Sequence, residues 1–342
     1  MVFLVWLKFL VCVGIILFAG TKLARYGDAI AEKTGLGGLW IGLVLMALIT
    51  SMPELVTGVS AAALVRLPDL ALGNFLGSCL FNLSILAGLD VILRRPILSQ
   101  VSRGHILSAG MGILLLGVTC LSIFGGERFS GLALGWVGVP GIVVVMLYLI
   151  GARQMFRREQ RERLAAAGPE ALVYRNVPAR AAYLRFALAA VVVIAAGIWL
   201  SFVGDEIARV HHWDASFVGS LFVAITTSMP ELVVTITAVR MGALDMAVAD
   251  LLGANMLNVV AITWADIFYT EGPILFQPRS LVSGSHIITA LIAMVMSLLV
   301  IIGLRFRQRG KPPVIISWYG PLLVGLYIFG AYNLFTSGIG LG

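Results

Sequence analysis

The sequence predicts an all-α polytopic membrane protein of ten transmembrane helices arranged as two inverted five-helix repeats. Three observations predict it. Hydrophobic residues make up 60% of the 342 residues, charged ones 12%, and mean hydropathy is +1.00, whereas soluble domains carry about twice that share of charge. Apolar runs of about 20 residues, long enough to cross a bilayer, recur along the whole chain. A seven-residue segment also recurs unchanged 177 residues after its first copy. No stretch is left over to build a soluble core, so one membrane domain is expected.

The ten spans are expected at residues 2–21, 37–64, 68–93, 104–124, 131–151, 182–203, 214–239, 243–268, 283–304 and 313–335. The first run has the length of a signal peptide, but Lys8 interrupts it and its pattern continues into the repeat. It is therefore read as a retained helix. Basic residues alternate between the connections. One set carries Lys22, Arg25 and Lys33; Arg94, Arg95 and Arg103; Arg153, Arg157, Arg158, Arg161, Arg163, Arg175, Arg180 and Arg185; and Arg305, Arg307, Arg309 and Lys311. The other set offers little beyond Arg66, Arg128, Arg209 and Arg279. The positive-inside rule then places both termini outside and the long central loop in the cytoplasm of a multi-pass cell (inner) membrane protein. The domain division that follows is a first repeat at 1–151, a linker at 152–181 and a second repeat at 182–342. Within the linker, Met155–Ala167 is arginine-rich and has the composition of an amphipathic helix on an anionic leaflet. A solvated linker carrying topology charges explains it more simply.

The formal net charge of +7 does not point to nucleic acid, because the basic residues sit in short connections rather than in a stripe interleaved with aromatics. Cys12, Cys79 and Cys120 are odd in number and scattered in apolar runs, which argues against a disulfide framework and a metal cluster.

The repeat organises the rest. Thr50-Ser51-Met52-Pro53-Glu54-Leu55-Val56 recurs as Thr227-Ser228-Met229-Pro230-Glu231-Leu232-Val233. The same offset pairs Gly27-Asp28 with Gly204-Asp205, Gly42 with Gly219 and Ala47 with Ala224; it then slips by one, matching Gly77 to Gly253 and Asn82 to Asn258. The copies lie five spans apart, so the second enters the membrane from the opposite side. That is the architecture of secondary transporters, whose site lies near the midplane where the repeats meet.

Glu54 and Glu231 lie deep inside apolar runs, where a carboxylate is costly and faces a cavity, a partner or an ion. One isolated Glu is also explained as a hydrogen-bonded strut between helices; two in identical, inverted motifs are explained far less well that way. Pro53 and Pro230 kink their helices and leave backbone oxygens near Ile49 and Thr226 without helical partners. Thr50, Ser51, Thr227 and Ser228 add hydroxyls. Asn74, Ser78 and Asn82 share one helix face, as do Asp250, Ala254 and Asn258. Gly73, Gly77 and Gly253 suit close helix packing, which would bring those faces against the kinked helices. The donor set is all oxygen, fitting a hard cation such as calcium or sodium. Its metal ligands would be Glu54, Glu231, Asn82 and Asn258. Two carboxylates match one calcium ion, and without a cation they cannot both remain ionised cheaply, so protons compete for the site.

At these residues the chain resembles the calcium/cation antiporter superfamily, the sodium/calcium exchanger membrane region with two alpha repeats. Gly42–Asn82 and Gly219–Asn258 are similar to its signature, approximately G-T-S-x-P-E followed by G-N-x-x-G-S-N. The resemblance implies cation binding by Thr50, Ser51, Glu54, Ser78 and Asn82, by Thr227, Ser228, Glu231 and Asn258, and by the carbonyls of Ala47 and Ala224. It also implies that spans one and six slide across the other eight. The chain departs from the signature at Ile49 and Thr226, at Cys79, and at Ala254, which lacks the hydroxyl of Ser78. Asn258 stands where a potassium-dependent branch carries a carboxylate, which argues against potassium co-transport. Asn74 and Asp250 are further candidates; Asp250 replaces an expected asparagine and either lines the ion path or bonds to backbone near its helix start.

The expected function is secondary active sodium/calcium exchange by alternating access at a midplane two-glutamate site, with a proton-coupled exchange of calcium or another divalent cation as the alternative. The expected partners are inorganic cations and the lipid bilayer, with no nucleic acid and no resident cofactor. A membrane enzyme using Ser51 or Ser228 as nucleophile finds no histidine nearby, since His105, His211, His212 and His286 lie near span ends. A passive channel has less reason to carry inverted repeats.

Overall fold

The computed structural model describes residues 2–34, 47–129, 131–165, 178–240, 242–278, 280–306 and 317–338. Its helices are α1 (Val2–Thr34), α2 (Ala47–Thr50), α3 (Met52–Ala63), α4 (Pro68–Leu93), α5 (His105–Gly125), α6 (Val139–Ala165), α7 (Ala179–His211), α8 (Ala215–Val218), α9 (Ala224–Thr227), α10 (Met229–Arg240), α11 (Leu244–Phe268), α12 (Ser285–Arg305) and α13 (Gly320–Gly338). A π-helical turn, Gly219–Val223, joins α8 to α9. Among the described residues six helices are long and apolar enough to cross a membrane: the start of α1, then α4, α5, α7, α11 and α12. The pair Ala215–Thr227 and Met229–Arg240, bent by 43°, makes a seventh if it is one span. Val139–Met155 and Gly320–Thr336 are shorter apolar helices. The first ten residues of span two, with Gly42, the first four of span ten, and the charges at Arg175, Arg279, Arg307, Arg309 and Lys311 lie outside the described residues.

The helices of spans one and six run past their expected ends, to Thr34 and His211, and three further features have local reasons. Span five does not begin at 131: Ala133–Leu134 and Val137–Gly138 pair as a small antiparallel hairpin, turned at Gly135 with φ +66°. The hairpin is fastened to the end of α11, where Gly138 N donates to Asp266 Oδ2 at 2.8 Å and Trp136 Nε1 to the Ile267 carbonyl at 2.9 Å. Span ten starts late, at Gly320, because Ser317 and Tyr319 turn their hydroxyls to Asp90 at the end of α4, Tyr319 Oη at 3.0 Å. The linker is helical at its start, for α6 runs on to Ala165 through a stretch of arginine, glutamate, glutamine, leucine and alanine, all good helix formers.

α4 and α11 form the centre. Both are buried on nearly all sides, so neither needs a single apolar stripe. Their neighbours come unusually close. A Cβ on Gly73 would lie 2.6 Å from the Ser216 carbonyl oxygen, and one on Gly77 would fall on the Ser220 backbone. Small residues thus let the backbone of α4 touch the α8–π segment.

α1 and α7 pack side by side and are tied by Lys8 Nζ–Glu206 Oε2 at 2.7 Å and by Trp6 Nε1 donating to His211 Nε2 at 2.9 Å. They cross the broken helices at glycines 177 residues apart: a Cβ on Gly20 would meet the Pro230 ring, and one on Gly197 would lie 3.0 Å from Thr57 Oγ1. The ends of the central helices are clasped reciprocally. Asp69 at the start of α4 accepts from Ser283 N at 2.7 Å and pairs with His286 Nε2 at 2.7 Å. Asp245 at the start of α11 accepts from Ser102 N at 2.6 Å and pairs with His105 Nε2 at 2.9 Å.

A methyl group at Gly77 has only backbone to push against, whereas one at Gly88, on the same helix, meets nothing within 4 Å. Gly77→Ala is therefore expected to lower stability by about 1–3 kcal/mol and Gly88→Ala to leave it unchanged or slightly raised. Thermal melting of the purified protein in detergent checks this, and equal melting temperatures would contradict the close approach.

Candidate functional site

The two copies of Thr-Ser-Met-Pro-Glu break their helices in the same way. α2 ends at Thr50, Ser51 leaves helical geometry at φ −80°, ψ 7°, and α3 restarts at Met52. In the second copy α9 ends at Thr227, Ser228 stands at φ −85°, ψ 7°, and α10 restarts at Met229. Pro53 and Pro230 have no N–H, so the Ile49 and Thr226 carbonyls lose the bond that residue would have donated. The break places Glu54 and Glu231 in the first turn of α3 and α10, where the positive end of the helix dipole favours a carboxylate.

Ser51 and Glu54 have the spacing of a capping box, yet Ser51 does not cap its own helix. Its Oγ donates instead to Glu231 Oε1 at 3.0 Å, while Ser228 Oγ donates to Glu54 Oε1 at 2.7 Å. Each half therefore supplies the hydroxyl for the other half's carboxylate. Both glutamates are fully buried, and the second oxygen of each, Glu54 Oε2 and Glu231 Oε2, has no hydrogen-bond partner. No lysine, arginine or histidine forms an ion pair with either among the described residues.

The central helices complete the surroundings. Asn74 is used at both ends: Thr227 Oγ1 donates to its Oδ1 at 3.0 Å, and its Nδ2 donates to the Glu54 carbonyl at 3.0 Å. Ser78 Oγ lies 3.0 Å from Ser228 Oγ. Thr50 Oγ1 lies 3.3 Å from the Ala47 carbonyl and 3.5 Å from Asp250 Oδ1. The Ala47 and Ala224 carbonyls are engaged by their own turns, receiving Ser51 N at 2.9 Å and Ser228 N at 3.0 Å. Asn82 and Asn258 are buried, and all four of their amide atoms lack a partner. A cavity of about 30 Å³ touches Ser51 and Asn258 and continues past Leu55, Ala261 and Trp264.

The structure thus gathers Glu54, Asn74, Ser78, Thr227 and Ser228 into one hydrogen-bonded group and Thr50, Ser51, Glu231 and Asp250 into another, and buries Asn82 and Asn258 on the same two central helices. Among the described residues no three His, Cys, Asp or Glu side chains group closely enough to hold a metal ion by themselves; the cluster is a mixture of carboxylates, hydroxyls and amides. Such hard oxygen donors suit sodium or calcium. Sequence reasoning overlooked Asn255, whose Nδ2 donates to the Cys79 carbonyl at 3.2 Å while Cys79 Sγ lies 3.6 Å from the Asn255 carbonyl. Its signal was present, since Asn255 and Cys79 hold matching places in the two repeats. The π-helical turn before α9 was also overlooked, and no motif marks it.

The sequence profile described as sodium/calcium exchanger protein matches residues 4–153 and 181–336. Curated relatives include an uncharacterized membrane protein of Methanocaldococcus jannaschii, 24% identical over 94% of this chain and 95% of the relative. The sodium/calcium exchanger MaX1 of Methanosarcina acetivorans is 25% identical over 89% and 91%. The inner membrane protein YrbG of Escherichia coli is 26% identical over 78% and 80%. Among solved structures, the sodium-calcium exchanger NCX_Mj soaked with Na+ and Sr2+ is similar with a TM-score of 0.61 at 20% identity, covering 97% of this chain and 99% of that one. The fold is therefore that of NCX_Mj, and with a family profile matching most of its length, this chain belongs to the sodium/calcium exchanger family, a family of membrane exchangers rather than enzymes.

Proposed function

We propose that the chain is a secondary active antiporter that exchanges sodium for calcium across the cell membrane by alternating access at the Glu54–Glu231 site. The observation that carries this is the crossed pairing of Ser51 with Glu231 and Ser228 with Glu54, around carboxylate and amide atoms that have no partner among the described residues. Buried polar groups left unpaired are costly, and a hard cation with several oxygen ligands removes that cost. Glu54, Glu231, Asn82 and Asn258 would hold the divalent ion, with hydroxyls of Thr50, Ser51, Ser78, Thr227 and Ser228 and the carbonyls of Ala47 and Ala224 completing overlapping positions for sodium. Because the positions overlap, entry of one ion expels the other.

The architecture proposed with it is ten spans in two inverted repeats, 1–151 and 182–342, joined by a cytoplasmic linker, with both termini outside. In that arrangement α1 and α7 slide as one unit. Their mutual tie through Lys8–Glu206, and their glycine contacts with the broken helices at Gly20 and Gly197, support this. A side chain at either glycine would lock into its neighbour, whereas a bare backbone lets the helices pass. The cavity beside Ser51 and Asn258 would then lead toward the outer face.

A second reading, proton-coupled exchange of calcium or another divalent cation at the same site, is favoured by one observation. Ala254 presents no hydroxyl where the first half has Ser78 beside Ser228, so the second half has one oxygen fewer for sodium.

Radiolabelled calcium uptake into proteoliposomes distinguishes them. Uptake is expected to follow an outward sodium gradient and not a potassium gradient, and to fall by about tenfold or more in Glu54→Gln and in Glu231→Gln, the factor that 1.4 kcal/mol of lost interaction represents. Uptake that follows an imposed proton gradient instead would move the chain to the second reading; full transport in either glutamine variant would remove the site. Ala254→Ser restores the missing oxygen and is expected to lower the sodium concentration for half-maximal exchange about fivefold, the worth of roughly one hydrogen-bond-sized interaction. An unchanged sodium dependence would show that the hydroxyl has no part in selectivity.

A further inference from the structure

Asn74 and Asp250 hold matching places in the two repeats, four residues before Ser78 and Ala254. The change from amide to carboxylate alters what each can bond. Asn74 accepts from Thr227 Oγ1 and donates to the Glu54 carbonyl, both at 3.0 Å. Asp250 Oδ1 keeps the first kind of contact, lying 3.5 Å from Thr50 Oγ1. The second kind is closed to it, because a carboxylate has no N–H to offer the Glu231 carbonyl. Asp250 is fully buried and its Oδ2 has no partner.

Among the described residues no basic side chain pairs with Asp250. The Thr50 hydroxyl lies 3.5 Å from Asp250 Oδ1 and also serves Glu231. Glu231 Oε2 is likewise buried and unpartnered. The two side chains that share the Thr50 hydroxyl thus each keep a buried carboxylate oxygen without a partner among the described residues, on the half where Ala254 lacks the oxygen that Ser78 provides in the other.

We infer that Asp250 is itself a cation ligand and that, with Thr50 and Glu231, it forms a subsite for a hard cation, sodium or calcium, that the first half of the protein lacks. The inference rests on the exchange reading above and deepens it: the cation-binding region carries three carboxylates rather than two, and its two halves are chemically unequal. The extra negative charge increases cation occupancy on the α11 side, making good the hydroxyl absent at Ala254.

The test is cation-dependent thermal stability of the purified full-length protein in detergent, titrated with sodium chloride or calcium chloride and held at constant ionic strength with choline chloride. Wild type, Asp250→Asn and Glu54→Gln are compared. Asp250→Asn installs the residue of the first half and keeps the size, so folding is expected to survive. The expected result is a saturable shift in wild type whose half-saturation in Asp250→Asn is weakened about tenfold or more for sodium, for calcium or for both; which one names the subsite's ion. Half-saturation within about twofold of wild type for both ions would overturn the inference, since a purely structural role moves the melting point without cations but not the cation response. Should Asp250→Asn not fold, Asp250→Ser is read the same way, and the sodium titration of Thr50→Val, which leaves Asp250 in place, must weaken as well. A wild type with no saturable response to either ion would overturn the exchange reading itself, an outcome distinct from a normal wild type with an unaffected Asp250→Asn.

Discussion

A carboxylate inside a bilayer-spanning protein has to be solvated by the protein, and here each half solvates the acid of the other. Ser51 spends its hydroxyl on Glu231 and Ser228 spends its own on Glu54, so separating the halves would strand two buried acids together. Stranding even one ionised group in an apolar medium costs several kcal/mol. Much of the architecture follows from the requirement that these four side chains stay within hydrogen-bonding distance. The helices must break at Ser51 and Ser228 so that the hydroxyls point across rather than along the chain. The central helix α4 must approach the α8–π segment until only glycine fits at Gly73 and Gly77. Asn74, by holding the Glu54 carbonyl and Thr227 at once, fixes the broken ends relative to one another.

The same crossed logic recurs away from the centre. Asp69 at the start of α4 holds His286 at the start of α12, and Asp245 at the start of α11 holds His105 at the start of α5. Asp90 and Asp266, at the ends of the two central helices, each take a backbone N–H from the following loop, Ile97 N at 2.7 Å and Ile274 N at 2.6 Å. These clasps knit α4, α5, α11 and α12 together. The α1–α7 pair shares no such clasp with them at the described ends; its ion pair is internal to the pair, and its crossings are at glycine. One rigid body and one smoother pair is the division of parts that the proposed sliding mechanism needs.

The sequence made some of this legible and hid the rest, and the boundary has a physical cause. Hydropathy reports how long an apolar helix is, so the strongly apolar spans were readable within a few residues. Where polar anchoring competes with hydropathy, it failed: the hairpin before α6 and the late start of α13 are set by Asp266 and Asp90, which a window average treats as noise. The repeated Thr-Ser-Met-Pro-Glu announced a break and a buried acid, because proline and glutamate each impose a demand that must be met. It could not say by whom. Sequence reading offered Ser51 only as a hydroxyl near the break, and only the packing of the second half reveals that it serves Glu231. The π-helical turn lies further from reach still, since its register depends on the backbone of α4 pressing against it.

What the repeats keep and what they change is itself informative. The pairs that hold the fold are retained between the halves: Gly20 with Gly197, Asp69 with Asp245, Asp90 with Asp266, and both copies of the Ser–Glu motif. Among the buried polar positions on the two turns of α4 and α11 beside the carboxylates, three pairs differ: Asn74 with Asp250, Ser78 with Ala254 and Cys79 with Asn255. Two identical half-sites would present the same affinity from either side, giving the cycle no chemical direction of its own. In the proposed ion site, a hydroxyl on one half and an added carboxylate on the other would let a symmetric framework carry unequal ligands, so that the two halves need not release the same ion with equal ease.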